Sequence, residues 1–259
     1  MLRKTYLPPP DLEYPESDGE PIAESTLQLR WIFRLYGGIS ALFEDDPNVF
    51  VASDLFWYPV KGEPKTVTAP DLMVAFGRPQ GERRCYKQWE EDDVAPQVVI
   101  EVLSHNNRSG EMSRKFEFYD RFGVEEYFIW DPHLITVEIF VRTNGRLQAV
   151  KDVKTFRSPR LGISFELTVT DLIVRTADGG RLLDYREVLQ QRKSAENDLE
   201  LQRQATQQVQ LRAEMEKARA EQEKLRAEQE SSRAEQEKAR ADKLLEKLKQ
   251  LGVDPSSLD

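Results

Sequence analysis

An α/β or α+β domain built on a mixed sheet, with one long charged helix behind it, is the fold class this sequence predicts. Three observations point to it. Up to about Gln190, short β-type runs alternate with two helical periodicities. Beyond that point Trp, Tyr and Phe are absent, and a seven-residue unit is repeated four times. The expected organisation is a globular domain over residues 1–188, a heptad-repeat helix over 189–251 and a flexible tail over 252–259.

The opening TYLPPPDLEYPESDGEP is dense in Pro, Asp and Glu and reads as an irregular strap. From Glu24 to about Glu44, Leu27, Trp31 and Leu35, then Ile39, Leu42 and Phe43, recur at helical spacing, which predicts a helix weakened at Gly37-Gly38. NVFVASDLFWYPV, APDLMVAFG and QVVIEVLS supply three or four strands, with KGEPK as a turn after the first. In SGEMSRKFEFYDRFG, Met112, Phe118, Tyr119 and Phe122 define an apolar helix face, and Gly123 supplies the C-cap. VEEYFIWDP is then a strand stopping at Asp131-Pro132. Asn144-Gly145, between two alternating runs, marks a β-hairpin. RLGISFELTVTDLIVR adds a strand and a turn, and GGRLLDYREVLQQR leads into the final helix.

The repeat units AEMEKAR, AEQEKLR, AEQESSR and AEQEKAR begin at Ala213, Ala220, Ala227 and Ala234. A two-stranded coiled coil needs apolar residues three and four apart, whereas the Ala220 and Leu225 lines are two and five apart, far around the helix from each other. The repeat does set Lys217 with Glu221, Arg219 with Glu223 and Lys224 with Glu228 at i,i+4, pairs that support a solvated single helix. Leu244, Leu248 and Leu251 have the four-then-three spacing that could zip two chains, so a homo-oligomer through this helix or through the body remains open. At about 1.5 Å per residue, some 55 residues of helix span on the order of 80 Å.

Nothing at the N-terminus has the apolar core of a signal peptide, and no run approaches the roughly 20 apolar residues that cross a bilayer. A soluble, cytoplasmic protein with no membrane partner is expected. Cys85 is the single cysteine, and His105 and His133 are the two histidines. These are too few for a disulfide, a Cys-cluster zinc site or a His-built centre. A metal here would need oxygen ligands, which suits Mg²⁺ or Mn²⁺. The net charge is −9, and because residues 191–259 hold 14 Lys and Arg against 15 Asp and Glu, −8 of it falls on the body. An acidic body binds polyanions poorly unless basic residues cluster locally or a divalent cation offsets the carboxylates.

The chemical anomaly is Glu101, set in Val98-Val99-Ile100-Glu101-Val102-Leu103, a run that otherwise reads as a strand buried on both faces. Burying an unpaired charge is costly, so such a residue is normally ion-paired, protonated or bound to a metal. A second acid, Asp71, heads the apolar run 72–76. If the two strands are neighbours joined by the loop 77–97, their carboxylates converge at one sheet edge as a hard-metal site. An ion there could activate a water and stabilise charge building on a scissile phosphate. Lys115, one turn into the following helix, is the best-placed cation to position the water or the phosphate.

Pro70-Asp71, Glu101-Val102-Leu103-Ser104, Lys115, Tyr119, Gly123-Val124-Glu125-Glu126-Tyr127 and Trp130-Asp131-Pro132 together resemble the bacterial Uma-two family of restriction-endonuclease-like proteins, within the PD-(D/E)XK nuclease superfamily. The resemblance covers roughly Glu16 to Tyr185, and the charged C-terminal repeat looks like an extension found in some members. It implies a restriction-endonuclease-like mixed sheet flanked by helices and a Mg²⁺- or Mn²⁺-dependent endonuclease with DNA as substrate. By position it implies that Asp71, Glu101 and the Val102 carbonyl bind metal and that Glu24, on the first helix, is an accessory acid. The superfamily pattern asks for lysine two residues after the acid, where this chain has Leu103, so Lys115 stands as a migrated equivalent.

Each of these residues also has a structural reading. Asp71 after Pro70 fits a turn, Glu101 fits an ion pair with Arg108 or Arg114, and Lys115 fits an exposed helix start. Glu24 fits an N-terminal acid favoured by the helix dipole, and Tyr119 fits the core. His105 reads equally as a substrate contact or part of a polar turn. Arg83, Arg84, Tyr86, Lys87 and Trp89 mix cations with aromatics as nucleic-acid contacts do, although the acids 90–93 follow them at once. Leu103 and the acidic charge support a second class of function: a catalytically inactive nuclease-fold interaction protein assembling through its C-terminal helix.

Overall fold

The computed structural model describes residues 13–17, 19, 21–105 and 109–250, and backbone proximity divides the chain into units Met1–Leu189 and Gln190–Asp259. The tail expected over 252–259 and most of the opening strap lie outside the described residues. In the first unit, helix α1 (Thr26–Leu42) starts where the Ser25 side chain accepts the Gln28 N–H at 3.1 Å. Its buried residues are Gln28, Trp31, Ile32, Arg34, Leu35 and Ile39.

The two glycines inside α1 have different roles. A Cβ on Gly38 would stand 2.9 Å from both δ carbons of Leu182 and 3.1 Å from its Cβ, so this glycine is what lets Leu182 close on the helix; a Cβ on Gly37 would meet nothing within 4 Å. Gly37→Ala is therefore expected to stabilise the protein by about 0.5–1 kcal/mol, the helix-propensity gain. Gly38→Ala forfeits that gain to overpacking, for a net loss of about 1 kcal/mol. Urea denaturation of the two variants side by side checks the opposite signs.

The strands are β1 (Val49–Ala52), β2 (Trp57–Tyr58), β3 (Leu72–Phe76), β4 (Tyr86–Lys87), β5 (Val98–Val102), β6 (Glu126–Asp131), β7 (Thr136–Thr143), β8 (Arg146–Ala149), β9 (Ser164–Leu167) and β10 (Leu172–Arg175). Six of them form a mixed sheet in the order β1-β3-β5-β6-β7-β8. Every pairing in it is antiparallel except β5 with β6, which are parallel and joined across one face by helix α2 (Ser109–Arg121). Asn144 and Gly145 both take positive φ, 53° and 82°, as an Asn-Gly hairpin turn between β7 and β8 requires.

Two segments differ from the sequence expectation. The stretch read as one strand and a turn is a separate antiparallel pair, β9 with β10. Its connection is closed by the Thr168 N–H bonded to the Asp171 carbonyl and the Asp171 N–H bonded to the Thr168 hydroxyl, each at 2.9 Å. The stretch 77–97, read as a loop, contains β4 and a short 3₁₀ turn (Gln88–Glu90); β4 pairs in parallel with β2. Strands two residues long carry no periodicity to detect.

Alternation along β5 separates two cores. Val98, Ile100 and Val102 pack toward α1, with Phe128, Trp130, Phe165, Leu172 and Val174 in the same cluster. Val99 lies in the other cluster, with Met73, Trp57, Tyr86, Tyr119 and Tyr127, and Glu101 shares its face. Helix α3 (Tyr185–Gln250) begins at the end of the first unit and makes up the described part of the second, where it exposes every side chain from 190 to 247. Arg192 and Glu196 form an i,i+4 ion pair at 2.8 Å along it. Among the described residues no helix is long and apolar enough to cross a membrane.

Candidate active site

The β3–β5 register, Leu72 opposite Ile100 and Met73 opposite Val99, continued by one residue sets Asp71 opposite Glu101. Directly opposed residues in an antiparallel pair present their side chains on the same face. The backbone at Asp71 is fixed from β1: the Ser53 hydroxyl donates to the Asp71 carbonyl at 2.7 Å, and the Asp54 N–H donates to the Pro70 carbonyl at 3.1 Å. The Asp71 carboxylate reaches across to β5, where its Oδ2 accepts the Val102 N–H at 2.7 Å.

Glu101 is 2% exposed and both its oxygens are engaged. Oε2 accepts from Lys115 Nζ at 2.7 Å, and Oε1 accepts from the Tyr119 hydroxyl. Lys115 and Tyr119 are four residues apart on α2, so one helix face delivers both donors. Arg114, a rival partner on sequence grounds, instead turns its Nε to the Gly110 carbonyl at 3.2 Å. Arg108 lies outside the described residues.

Electrostatically this is a cluster of two carboxylates around one ammonium. Burial, then the Glu101 charge, hold the Asp71 carboxyl well above the usual carboxylate range, while Lys115 and the Val102 N–H pull it back only in part. Burial works to lower the Lys115 pKa, but the Glu101 and Asp71 charges outweigh it and leave the ammonium more strongly protonated than usual. Burial, reinforced by Glu101, pushes the Tyr119 phenol well up and keeps it a donor.

On the α1 side of the same strand end, Gln28 donates through Nε2 to the Val102 carbonyl at 2.8 Å and accepts the Glu24 N–H through Oε1 at 2.9 Å. The Glu24 carboxylate accepts from the Ser104 hydroxyl. Glu24 is thus drawn to the end of β5, with Ser104 as its bonded partner. Gln28 is not a site candidate on sequence grounds, and Tyr119, one of the residues that carry the family resemblance, reads there as core. The signal for Gln28 is its spacing of four, seven and eleven residues from Ile32, Leu35 and Ile39, which puts an amide on the buried face of a helix.

The remaining candidates are committed elsewhere. His105 stacks on His133 with centroids 3.6 Å apart. Arg83 is bonded to Glu91 at 2.6 Å and lies over the Phe50 ring, Arg84 pairs with Glu16, and Lys87 pairs with Glu90. Most of the cations in that basic and aromatic segment therefore face partners within the domain.

The donor set fits a hard divalent cation. Two carboxyl groups stand against one ammonium in a buried place, and a cation there would oppose both the burial and the Glu101 charge that raise the Asp71 pKa. Among the described residues no cluster of three or more His, Cys, Asp or Glu side chains is arranged for a metal. Protein ligation would therefore come from Asp71, Glu101 and the free lone pair of the Val102 carbonyl, with water and substrate oxygens completing the shell, as is usual for Mg²⁺.

The Uma2 family, described as "Putative restriction endonuclease", matches residues 4–170. The chain belongs to this family. Its matched region takes in Asp71, Glu101, Lys115 and Tyr119, and stops short of α3. Among solved structures, one described as a "putative nuclease belonging to DUF820 from Anabaena variabilis" is 13% identical, with a TM-score of 0.40 over 53% of this chain and 75% of that one. No curated protein matches the sequence. The Uma2 assignment supports nuclease chemistry and DNA as the class of substrate.

Proposed function

We propose that this Uma2 protein is a Mg²⁺- or Mn²⁺-dependent endonuclease hydrolysing DNA phosphodiester bonds at the Asp71–Glu101 edge of the sheet. The observation that carries this reading is the pair of carboxyl groups set opposite each other, Asp71 and Glu101, with the Lys115 ammonium bonded to Glu101 at 2.7 Å. Asp71 and Glu101 would hold the cation, with the Val102 carbonyl as a third ligand. A divalent ion there supplies Lewis acidity toward a phosphoryl oxygen and a water of lowered pKa. Lys115 uses one of its three N–H donors on Glu101, and the others are free by valence to orient a water or a phosphate oxygen. Gln28 fixes the carbonyl of Val102, and Glu24 acts as an accessory acid at the same strand end.

The test is incubation of the purified full chain with plasmid DNA and Mg²⁺ or Mn²⁺. Cleavage that disappears in Asp71→Ala and in Glu101→Ala is the expected result. No cleavage by the wild type, or equal cleavage by both variants, overturns the reading. Charge favours one rival, a non-catalytic interaction protein assembling through its C-terminal helix, because the body carries −8 of the −9 net charge. No heat of Mn²⁺ binding, together with a dimer lost on deleting residues 191–259, is the result that rival requires.

A further inference from the structure

The Glu101 carboxylate is held asymmetrically. Its Oε1 is occupied by the Tyr119 hydroxyl while its Oε2 is the oxygen shared with Lys115. Tyr119 is itself immobilised: it is fully buried, stacked parallel on Trp57 with centroids 6.3 Å apart, and edge-on to Tyr127 at 4.9 Å. Trp57, the ring it stacks on, is tied by two backbone bonds, at 2.8 and 3.3 Å, to Thr68, three residues ahead of Asp71.

We infer that Tyr119 is a positioning residue that sets the cation preference of the site: it holds Oε1 of Glu101 inside a buried ring stack, whereas Oε2 lies beside the partly exposed Lys115 side chain, from which side a metal can share it. The inference rests on the reading that Asp71 and Glu101 bind a divalent ion. Mg²⁺ prefers an octahedral shell of singly contributed oxygens, whereas Ca²⁺ takes six to eight oxygens and commonly accepts both oxygens of one carboxylate. A glutamate restricted to one oxygen, on a rigid ring stack, disfavours the larger ion. Freed of the phenol, the carboxylate can offer both.

Tyr119→Phe keeps the ring, the stack on Trp57 and the buried volume, and removes only the hydroxyl. Isothermal titration of the full chain with Mg²⁺, Mn²⁺ and Ca²⁺, without nucleic acid, reads the outcome directly. Replacing a group that orients a ligand changes metal affinity by about 10–100-fold. The expected result is a Mg²⁺-to-Ca²⁺ affinity ratio shifted about tenfold toward Ca²⁺. A merely structural role for Tyr119 would weaken all three ions alike, so an unchanged ratio overturns the inference.

Should the variant fail to fold, as judged by its circular dichroism, the crystal structure of the wild-type chain with Mn²⁺ serves as the second measurement. A metal bonded to Glu101 through Oε2 alone, with Oε1 still on the Tyr119 hydroxyl, is the expected result, and a metal held by both oxygens of Glu101 overturns the inference. Wild-type protein that binds none of the three ions removes the metal-site reading itself, a result distinct from a wild type that binds and a variant with unaltered preference.

Discussion

Lys115→Met is expected to lower stability by about 3 kcal/mol, a shift of the melting temperature on the order of 10 °C for a domain of this size. Methionine keeps the length of the side chain and removes its charge. Glu101, 2% exposed, would then keep only the Tyr119 hydroxyl, with the Asp71 carboxylate facing it. Removing one partner of a buried pair costs about 3–5 kcal/mol, and the lower end applies because the Lys115 side chain is 20% exposed and water can relieve part of the loss. Added Mg²⁺ should recover more stability in the variant than in the wild type, since a divalent ion can replace the missing positive charge. Cleavage should fall by about 10²–10³-fold, the usual cost of one stabilising donor. Thermal melts with and without Mg²⁺, beside the plasmid assay, test all three; equal melting of the two proteins without metal would show that the pair carries no weight.

Arg142→Ala should be nearly as damaging although Arg142 lies on β7 and touches neither acid. Its guanidinium donates to the carbonyls of Val124, Gly145 and Asp120, each at 2.7 Å, and to that of Tyr119 at 3.2 Å. It also pairs with the Asp120 carboxylate at 3.4 Å. The Tyr119 and Asp120 carbonyls belong to the last turn of α2, where a helix has no partners of its own to offer. Each buried acceptor left unpaired costs about 1–3 kcal/mol, so a loss of about 3 kcal/mol is expected. Because α2 carries Lys115 and Tyr119, cleavage should drop with it. Arg142→Lys should restore only part of either, since an ammonium cannot span the fork of carbonyls. If urea midpoints put alanine and lysine variants level with the wild type, the cap does not hold the helix.

The fold was legible where the period was long. The spacing from Leu27 to Phe43 announced α1, and Asn144-Gly145 announced the β7–β8 turn, because in both cases local chemistry and tertiary packing agree. β4 was invisible: two residues long, it exists because Tyr86 is buried by residues distant in sequence, whereas β2 falls within the β-type stretch 48–60. At the site, Glu101 stood out as a carboxylate in an apolar strand, and Asp71 by its place ahead of another. Gln28 and the hydroxyl of Tyr119 were silent since an amide or phenol on an apolar helix face passes for packing until its partner is located. That partner is fixed by sheet register, a long-range property no window of sequence contains.

The parallel pairing of β5 with β6 has a consequence for how the site can come apart. The crossover through α2 carries both donors to Glu101 on one helix, so a local opening that lifts α2 from the sheet removes Lys115 and Tyr119 together and leaves the Asp71 and Glu101 carboxyl groups facing each other on β3 and β5. On the proposed chemistry such an opened molecule lacks the group that orients the water or the phosphate, so activity and the seating of the crossover rise and fall together.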